Sequence, residues 1–169
     1  MEGARQVSSG FHGIERIISG GQTGVDRAAL DTAIQLQIPH GGWCPKGRRA
    51  EDGPIPDRYL LSEMESADYA QRTRQNVIDS DGTLILYHER LQGGTLLTHR
   101  IAKEAGLPVF RIRLDRLWDP AKAVDWIQEN QIQVLNVAGP RASAHLDIAT
   151  VAAEALQRIL RHRSLPIEQ

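Results

Sequence analysis

Short apolar runs alternate with amphipathic stretches along the whole chain, and this alternation limits the possible folds more than any other feature. Runs typical of strands lie at Glu15–Ser19, Gly41–Cys44, Thr83–Tyr87, Val109–Ile112 and Val134–Ala138. Helical patterns lie at Asp26–Gln37, Ala67–Asp79, Thr95–Ala105, Asp119–Asn130 and Ser143–Arg161. Such alternation predicts a parallel sheet covered by helices on both faces. We therefore expect an α/β fold, a Rossmann-like three-layer sandwich with a mainly parallel sheet of five or more strands.

Length and composition indicate one globular domain. The 169 residues are enough for a single core, and we expect a flexible N-terminal tail over residues 1–13 and one domain over residues 14–163. The net charge of -1 argues against a nucleic-acid partner. No apolar run reaches the ~18 residues of a membrane span. The single cysteine, Cys44, excludes a disulfide within the chain and favours a cytoplasmic location.

Three of the predicted strands run into turns that contain glycine, and ligands of open parallel sheets bind at the carboxyl ends of strands. The first turn is Ser19-Gly20-Gly21-Gln22-Thr23-Gly24, followed by Asp26. Its glycines allow close approach of a ligand, and the helix that follows offers free N–H groups to an anion. We expect a phosphate or another oxyanion on this turn, with a plain strand-to-helix turn as the alternative.

The second and third turns repeat this pattern less completely. Gln92-Gly93-Gly94-Thr95 follows the Thr83–Tyr87 strand and precedes a helix. Gly139-Pro140-Arg141-Ala142-Ser143 follows the last strand, and there we expect Ser143 to cap a helix. The fork of donors on Arg141 could pair with phosphate oxygens. The alternative is an ordinary capped turn with a solvated arginine.

A basic loop follows the second predicted strand. Lys46, Arg48 and Arg49, next to Gly47, could place three cations over the anion-binding edge. A solvated charge run is the alternative. The stretch from Pro45 to Pro56 is expected to be an exposed loop. Trp43 could stack on a flat ring or lie in the core, and Cys44 is expected to be an inert small residue.

The sequence contains no evident catalytic or metal-binding motif. None of the six histidines has zinc-type spacing with the cysteine, and Ser19 has no identifiable base. We therefore assign no catalytic residue and no metal ligand.

Several motifs closely resemble a known family. They are Ile18–Asp26, Gly42–Gly53, Asn76–Thr83, Gly93–Thr95 and Asn136–Arg141. Together they resemble the family of molybdenum carrier proteins, also named molybdenum cofactor carrier proteins, over about Ile14 to Ile159. The resemblance implies that the chain binds, protects and transfers molybdenum cofactor, a phosphorylated molybdopterin, without catalysis. It also implies molybdoenzyme apo-proteins as recipients and a homo-oligomer, a dimer or tetramer.

This family is similar, more distantly, to the Rossmann-like superfamily of the lysine-decarboxylase-like, cytokinin-activating phosphoribohydrolases. Those enzymes use an arginine, matched here by Arg72, and a glutamate three residues after a Gly-Gly-x-Gly-Thr turn. The chain has Thr98 at the glutamate position, which favours a carrier over an enzyme. The alternative is a nucleotide-binding or nucleotide-processing protein, such as an N-glycosidic nucleotide hydrolase in which Asp26, Glu51 or Asp79 replaces the glutamate. A domain with a vestigial pocket is the third possibility.

The predicted ligand site combines the three turns, the basic loop and the matched arginine. Its residues are Gly20, Gly21, Gln22, Thr23, Gly24, Asp26, Lys46, Gly47, Arg48, Arg49, Arg72, Gly93, Gly94, Thr95, Gly139, Pro140, Arg141 and Ser143.

Overall fold

A computed structural model of the protein describes residues 10–163. Residues 1–9 of the predicted tail lie outside the described residues. Residues 10–13 form a turn, and Phe11 in this turn packs against the main core. The ring Nε2 of His12 lies 3.1 Å from the carbonyl oxygen of Ile159. The packed part of the chain therefore begins before Ile14.

The described chain contains nine strands and five helices. The strands are β1 (Arg16–Ile18), β2 (His40–Gly41), β3 (Trp43–Cys44), β4 (Arg49–Ala50), β5 (Gly53–Pro54), β6 (Ser62–Glu63), β7 (Gly82–Tyr87), β8 (Val109–Arg113) and β9 (Val134–Ala138). The helices are α1 (Val25–Gln35), α2 (Tyr69–Ile78), α3 (Gly93–Glu104), α4 (Pro120–Glu129) and α5 (Ile148–Leu160).

Five strands form the main sheet in the order β2-β1-β9-β7-β8, and every pairing in it is parallel. The central strand segments are buried because helices cover both faces, which explains the continuous apolar sequence of β7. Helices α1, α4 and α5 pack together on one face, and α2 packs with α3 on the other. The predicted α/β Rossmann-like architecture is confirmed.

The second predicted strand is divided in two. β2 joins the main sheet, whereas β3 pairs with β6 in a separate two-stranded sheet. The chain changes direction at Gly42, whose φ of 122° favours glycine, and a Cβ there would overlap the carbonyl oxygen of Ser19. The prediction of one strand from Gly41 to Cys44 is therefore wrong.

The stretch from Pro45 to Pro56 is largely exposed, as its composition predicts, but it is not a simple loop. It contains the antiparallel pair β4–β5, and Ile55 is buried with Leu30, Cys44 and Tyr59 in a second core cluster. Burial raises the pKa of the Cys44 thiol, which agrees with an inert side chain.

The topology brings the three glycine turns together. Because β1, β9 and β7 are neighbours and parallel, their carboxyl ends lie at the same edge of the sheet, and the turns that follow them meet there. Across residues 10–163, no helix combines the length and the apolar character needed to cross a membrane.

Candidate functional site

A cavity of about 500 Å³ opens at this edge of the sheet. It is bordered by parts of all three glycine turns and by the first turns of α2 and α3. Its walls include nine of the predicted site residues: Gln22, Asp26, Arg72, Gly93, Gly94, Thr95, Gly139, Pro140 and Arg141. A volume of this size falls within the range of ~300–1,000 Å³ that is usual for small-molecule sites.

The N-terminus of α3 is the most accessible anion-binding feature of the cavity. Gly93 and Gly94 are exposed, and a Cβ on either would meet no atom within 4 Å. No side chain of the described residues caps this helix, and the same is true of α1 and α5, whereas Asp68 caps α2 and Asp119 caps α4. The first N–H groups of α3 and its dipole therefore face open space, where they favour a negative charge.

Three arginines border the cavity. Arg90 and Arg141 are exposed, and neither makes an ion pair within residues 10–163. Arg72 differs, because its Nη1 lies 3.2 Å from Oδ2 of Asp26 and its side chain is only 13% exposed. Arg90 and Arg141 are thus the two arginines whose charge is available to a ligand.

The Arg72–Asp26 pair depends on Gly20, because a Cβ at that position would overlap the guanidinium of Arg72. Asp26 also accepts a hydrogen bond of 3.2 Å from the backbone N–H of Gln22. Burial raises the pKa of Asp26, and the neighbouring Arg72 charge opposes part of that rise. The glycine that the sequence suggests for ligand approach instead makes room for a buried ion pair.

Some hydrogen-bonding groups of the first glycine turn have partners within the protein. The N–H of Thr23 donates to the side-chain oxygen of Gln22 at 3.0 Å, and the N–H of Val25 donates to the carbonyl of Pro140 at 3.1 Å. Gly20, Gly21, Thr23 and Gly24 are buried and do not border the cavity. Binding of an oxyanion by this turn stays a prediction, and the N-terminus of α3 is the more accessible of the two.

The remaining glycines of the first and third turns permit close packing. A Cβ on Gly24 would overlap the carbonyl oxygen of Pro140, and one on Gly139 would overlap that of Leu86. A Cβ on Gly21 would lie 2.6 Å from the side chain of Leu61. Both Gly21 and Gly24 have a φ of 80°, so a side chain there would also strain the backbone.

The basic loop does not reach the cavity. The guanidinium of Arg48 donates to the backbone carbonyls of Ile55, Pro56, Tyr59 and Leu61 at 2.9 to 3.4 Å. The Gly47 N–H donates to Glu63 at 2.8 Å. Lys46 and Arg49 are exposed, and neither they nor Gly47 belong to the cavity wall. Binding of an anion by Arg48 stays a prediction, although these donors already bind four carbonyls of its own segment.

Glu51 joins three segments around the site. Its carboxylate accepts hydrogen bonds from the hydroxyl of Thr23 and from Ser143, whose Oγ lies 2.6 Å away. Its backbone N–H donates to the side chain of Gln22 at 2.9 Å. The bonds from Ser143 and Thr23 lower the pKa of Glu51. Glu51 therefore links the β4–β5 hairpin to the first and third turns.

Ser143 does not cap the last helix, which begins only at Ile148. Its hydroxyl is instead bound to Glu51, and the residues between the two positions form turns. The predicted start of this helix is therefore wrong by five residues, from Ser143 to Ile148.

Sequence comparison assigns the chain to a family. The profile of the circularly permutated YpsA SLOG family, cpYpsA, matches residues 17–160. The chain belongs to this family. The match begins in β1 and ends with α5, so it includes every segment that borders the cavity.

A solved relative of this SLOG protein supports the resemblance found in the sequence. The crystal structure of a putative molybdenum carrier protein from Syntrophus aciditrophicus SB is 49% identical and has a TM-score of 0.85. The match covers 88% of the present chain and 96% of the relative. A comparison with curated proteins found no match. The predicted resemblance to molybdenum carrier proteins is confirmed.

Several cavity residues of this SLOG protein were missed in the sequence. They include Tyr69, Thr73, Arg90 and Leu97. Arg90 lies two residues before the second glycine turn, and this proximity was the available signal. No sequence signal indicated Tyr69, because only the packing of α2 beside α3 brings it to the cavity. Trp43, the aromatic residue considered for ring stacking, instead donates from Nε1 to Asp79 at 2.7 Å.

Thr98 also borders the cavity. Its hydroxyl donates to the carbonyl of Gly94 at 2.9 Å, within α3. Among the described residues, no group of three His, Cys, Asp or Glu side chains could hold a metal ion.

Proposed function

We propose that this protein binds molybdenum cofactor as its cargo, protects it and transfers it to molybdoenzyme apo-proteins without catalysis. The terminal phosphate of the molybdopterin would bind at the N-terminus of α3, with Arg90 and Arg141 neutralising its charge. The observation that carries the proposal is the open N-terminus of α3 beside two arginines in a cavity of about 500 Å³. The name of the relative from Syntrophus aciditrophicus SB suggests the kind of cargo.

In this proposal the protein binds the phosphate and the organic ring of the cofactor. The metal is held by the sulfur atoms of the cofactor itself. A cavity between two helices would shield those atoms from water and so limit side reactions. Molybdoenzyme apo-proteins remain the proposed recipients, and assembly into a dimer or tetramer stays a prediction.

One observation favours nucleotide processing as a second candidate function. Asp26 borders the cavity, its pKa is raised by burial, and Arg72 lies beside it. A buried carboxyl group with a raised pKa in a cleft is a candidate general acid. Such a group could protonate the base of a nucleoside monophosphate while water attacks the ribose.

The two functions are separated by one set of assays. Protein purified anaerobically should contain molybdenum and pterin, and it should restore the activity of an apo nitrate reductase. Incubation with AMP should release neither adenine nor ribose 5-phosphate. Release of both products, lost in an Asp26→Asn variant that remains folded, would replace the carrier with a hydrolase.

A charge variant tests the proposed anion site. Arg141→Ala should weaken cofactor binding by about 1.5–3 kcal/mol, the usual contribution of a charged hydrogen bond. Arg74→Ala is the matched control, since Arg74 is an exposed arginine of α2 outside the cavity wall. Equal affinities of the two variants would place the anion elsewhere.

A further inference from the structure

The part of the cavity wall formed by α2 and α3 includes an exposed aromatic ring. Tyr69 is the first residue of α2 and is 43% exposed. Ala70 and Leu97 border the cavity with it. These three residues are carried by α2 and α3, whereas Arg90 and Arg141 lie on connecting turns.

The surroundings of Tyr69 are fixed by the buried ion pair. The guanidinium carbon of Arg72 lies 5.8 Å from the centroid of the Tyr69 ring, and Asp26 holds that guanidinium in place. The backbone carbonyl of Tyr69 accepts a hydrogen bond of 2.8 Å from Thr73. The ring is therefore attached to an ordered helical turn and borders a cavity that has an anion-binding helix end.

We propose that Tyr69 stacks on a planar heterocycle and determines the ligand class of the site. The site would take a phosphate ester that carries a flat heterocyclic ring, either a nucleoside monophosphate or a phosphorylated pterin. The inference rests on the proposed function, because it assumes that the phosphate binds at the N-terminus of α3. It adds a second recognition element, which acts only on ligands that have an aromatic ring.

The physical reason for this class is that the two ends of such a ligand need different surroundings. A phosphate is stabilised by N–H groups and guanidinium charge, whereas the face of a heterocycle is stabilised by contact with another ring. Aromatic stacking tolerates many ring systems, because every aromatic heterocycle has a π-face. A cavity with both surfaces therefore selects for a ring joined to a phosphate.

Calorimetric titration of four probes tests the proposal. They are inorganic phosphate, ribose 5-phosphate, guanosine 5′-monophosphate and a pterin phosphomonoester. Tyr69→Leu should weaken binding of the two ring-bearing probes roughly 5- to 100-fold, as expected for the loss of one stacked ring, and should leave ribose 5-phosphate unchanged. Tyr69→Phe should bind all four probes like the unmodified protein.

Ile78→Ala is the matched control, because Ile78 is an exposed apolar residue at the other end of α2 and outside the cavity wall. Tighter binding of the pterin ester than of the nucleotide would identify a pterin as the source of the ring, and the reverse order would identify a nucleotide.

The outcomes separate this inference from the proposed function. Equal affinity of Tyr69→Leu and the unmodified protein for both ring-bearing probes would overturn the stacking role while leaving the anion site intact. A uniform loss of affinity for all four probes in Tyr69→Leu would also overturn it, since the ring would then be structural. Failure of all four probes to bind the unmodified protein would contradict the anion site itself.

Discussion

The glycine turns that follow β1 and β7 have similar sequences but different surroundings. In the first, Gly20 makes room for Arg72, and Gly24 packs against the backbone at Pro140. In the second, Gly93 and Gly94 have no neighbour that a Cβ would meet within 4 Å. The comparison teaches that glycines before a helix indicate either close packing or ligand approach, and that only the tertiary contacts distinguish the two.

The largest expected effect concerns the ion pair that the first turn accommodates. Arg72→Ala should destabilise the fold by about 3–5 kcal/mol, because it leaves a buried carboxylate without its partner. Denaturant unfolding at neutral pH measures this change. The Arg72→Ala/Asp26→Asn double variant should recover part of the loss, and no recovery would show that the two side chains do not act as a pair.

The same variant should have a pH-dependent stability. Because burial raises the pKa of Asp26, the folded state binds this proton more tightly than the unfolded state does. The resulting stability is present at acid pH and is lost as pH rises through the folded pKa. Removing Arg72 raises the pKa further, so Arg72→Ala should lose more stability between acid and neutral pH than Arg72→Ala/Asp26→Asn. Parallel pH profiles would contradict this assignment.

The next effect tests whether the first turn is packed. Gly24→Ala should destabilise the protein by about 3 kcal/mol, since the new Cβ meets backbone atoms and the positive φ disfavours alanine. Gly10→Ala is the control, because Gly10 is exposed and has no atom within 4 Å of a built Cβ. Equal midpoints of unfolding for the two variants would show that the first turn is not closely packed at Gly24.

A smaller effect is expected at Glu51, which binds the first turn to the third. Glu51→Gln should lower the free energy of unfolding by about 1 kcal/mol. This is less than for a buried hydrogen bond to a charged group, because Glu51 is exposed. Its lowered pKa makes this contribution present at neutral pH and lost as pH falls through the folded pKa. The stability difference between Glu51→Gln and the unmodified protein should therefore shrink in acid. A constant difference would exclude the carboxylate charge as the cause.

The smallest stability effect is expected in the second turn. Gly94→Ala should leave the free energy of unfolding unchanged or raise it by up to ~1 kcal/mol, because alanine favours a helix. Binding of ribose 5-phosphate should nevertheless weaken several-fold, since the methyl group occupies space in the cavity. A marked loss of stability would show that this turn is packed like the first.

The fold could be predicted from the sequence because it depends on periodicity. Five apolar runs separated by amphipathic stretches determine parallel strands, and parallel strands place the turns after β1, β7 and β9 at one edge. The family could be predicted from contiguous motifs. Gly93, Gly94 and Arg141 were also predicted, since each follows directly from its position after a strand.

The partners of individual side chains could not be predicted, because they depend on contacts between distant segments. Arg48 lies in a basic stretch that is typical of an anion-binding loop, but the fold of residues 55–61 brings four carbonyls to its guanidinium. Ser143 precedes a helical pattern, but Glu51 from a different turn binds its hydroxyl. Tyr69 borders the cavity only because α2 packs beside α3.

The most direct test of the proposed site is a titration of the isotope-labelled protein with ribose 5-phosphate, followed by backbone amide NMR. We expect the largest shifts for the amides of Gly93, Gly94 and Thr95, with little change at Gly20, Gly21 and Gly24. The largest shifts at Gly20, Gly21 and Gly24, with none in the first turn of α3, would contradict this expectation.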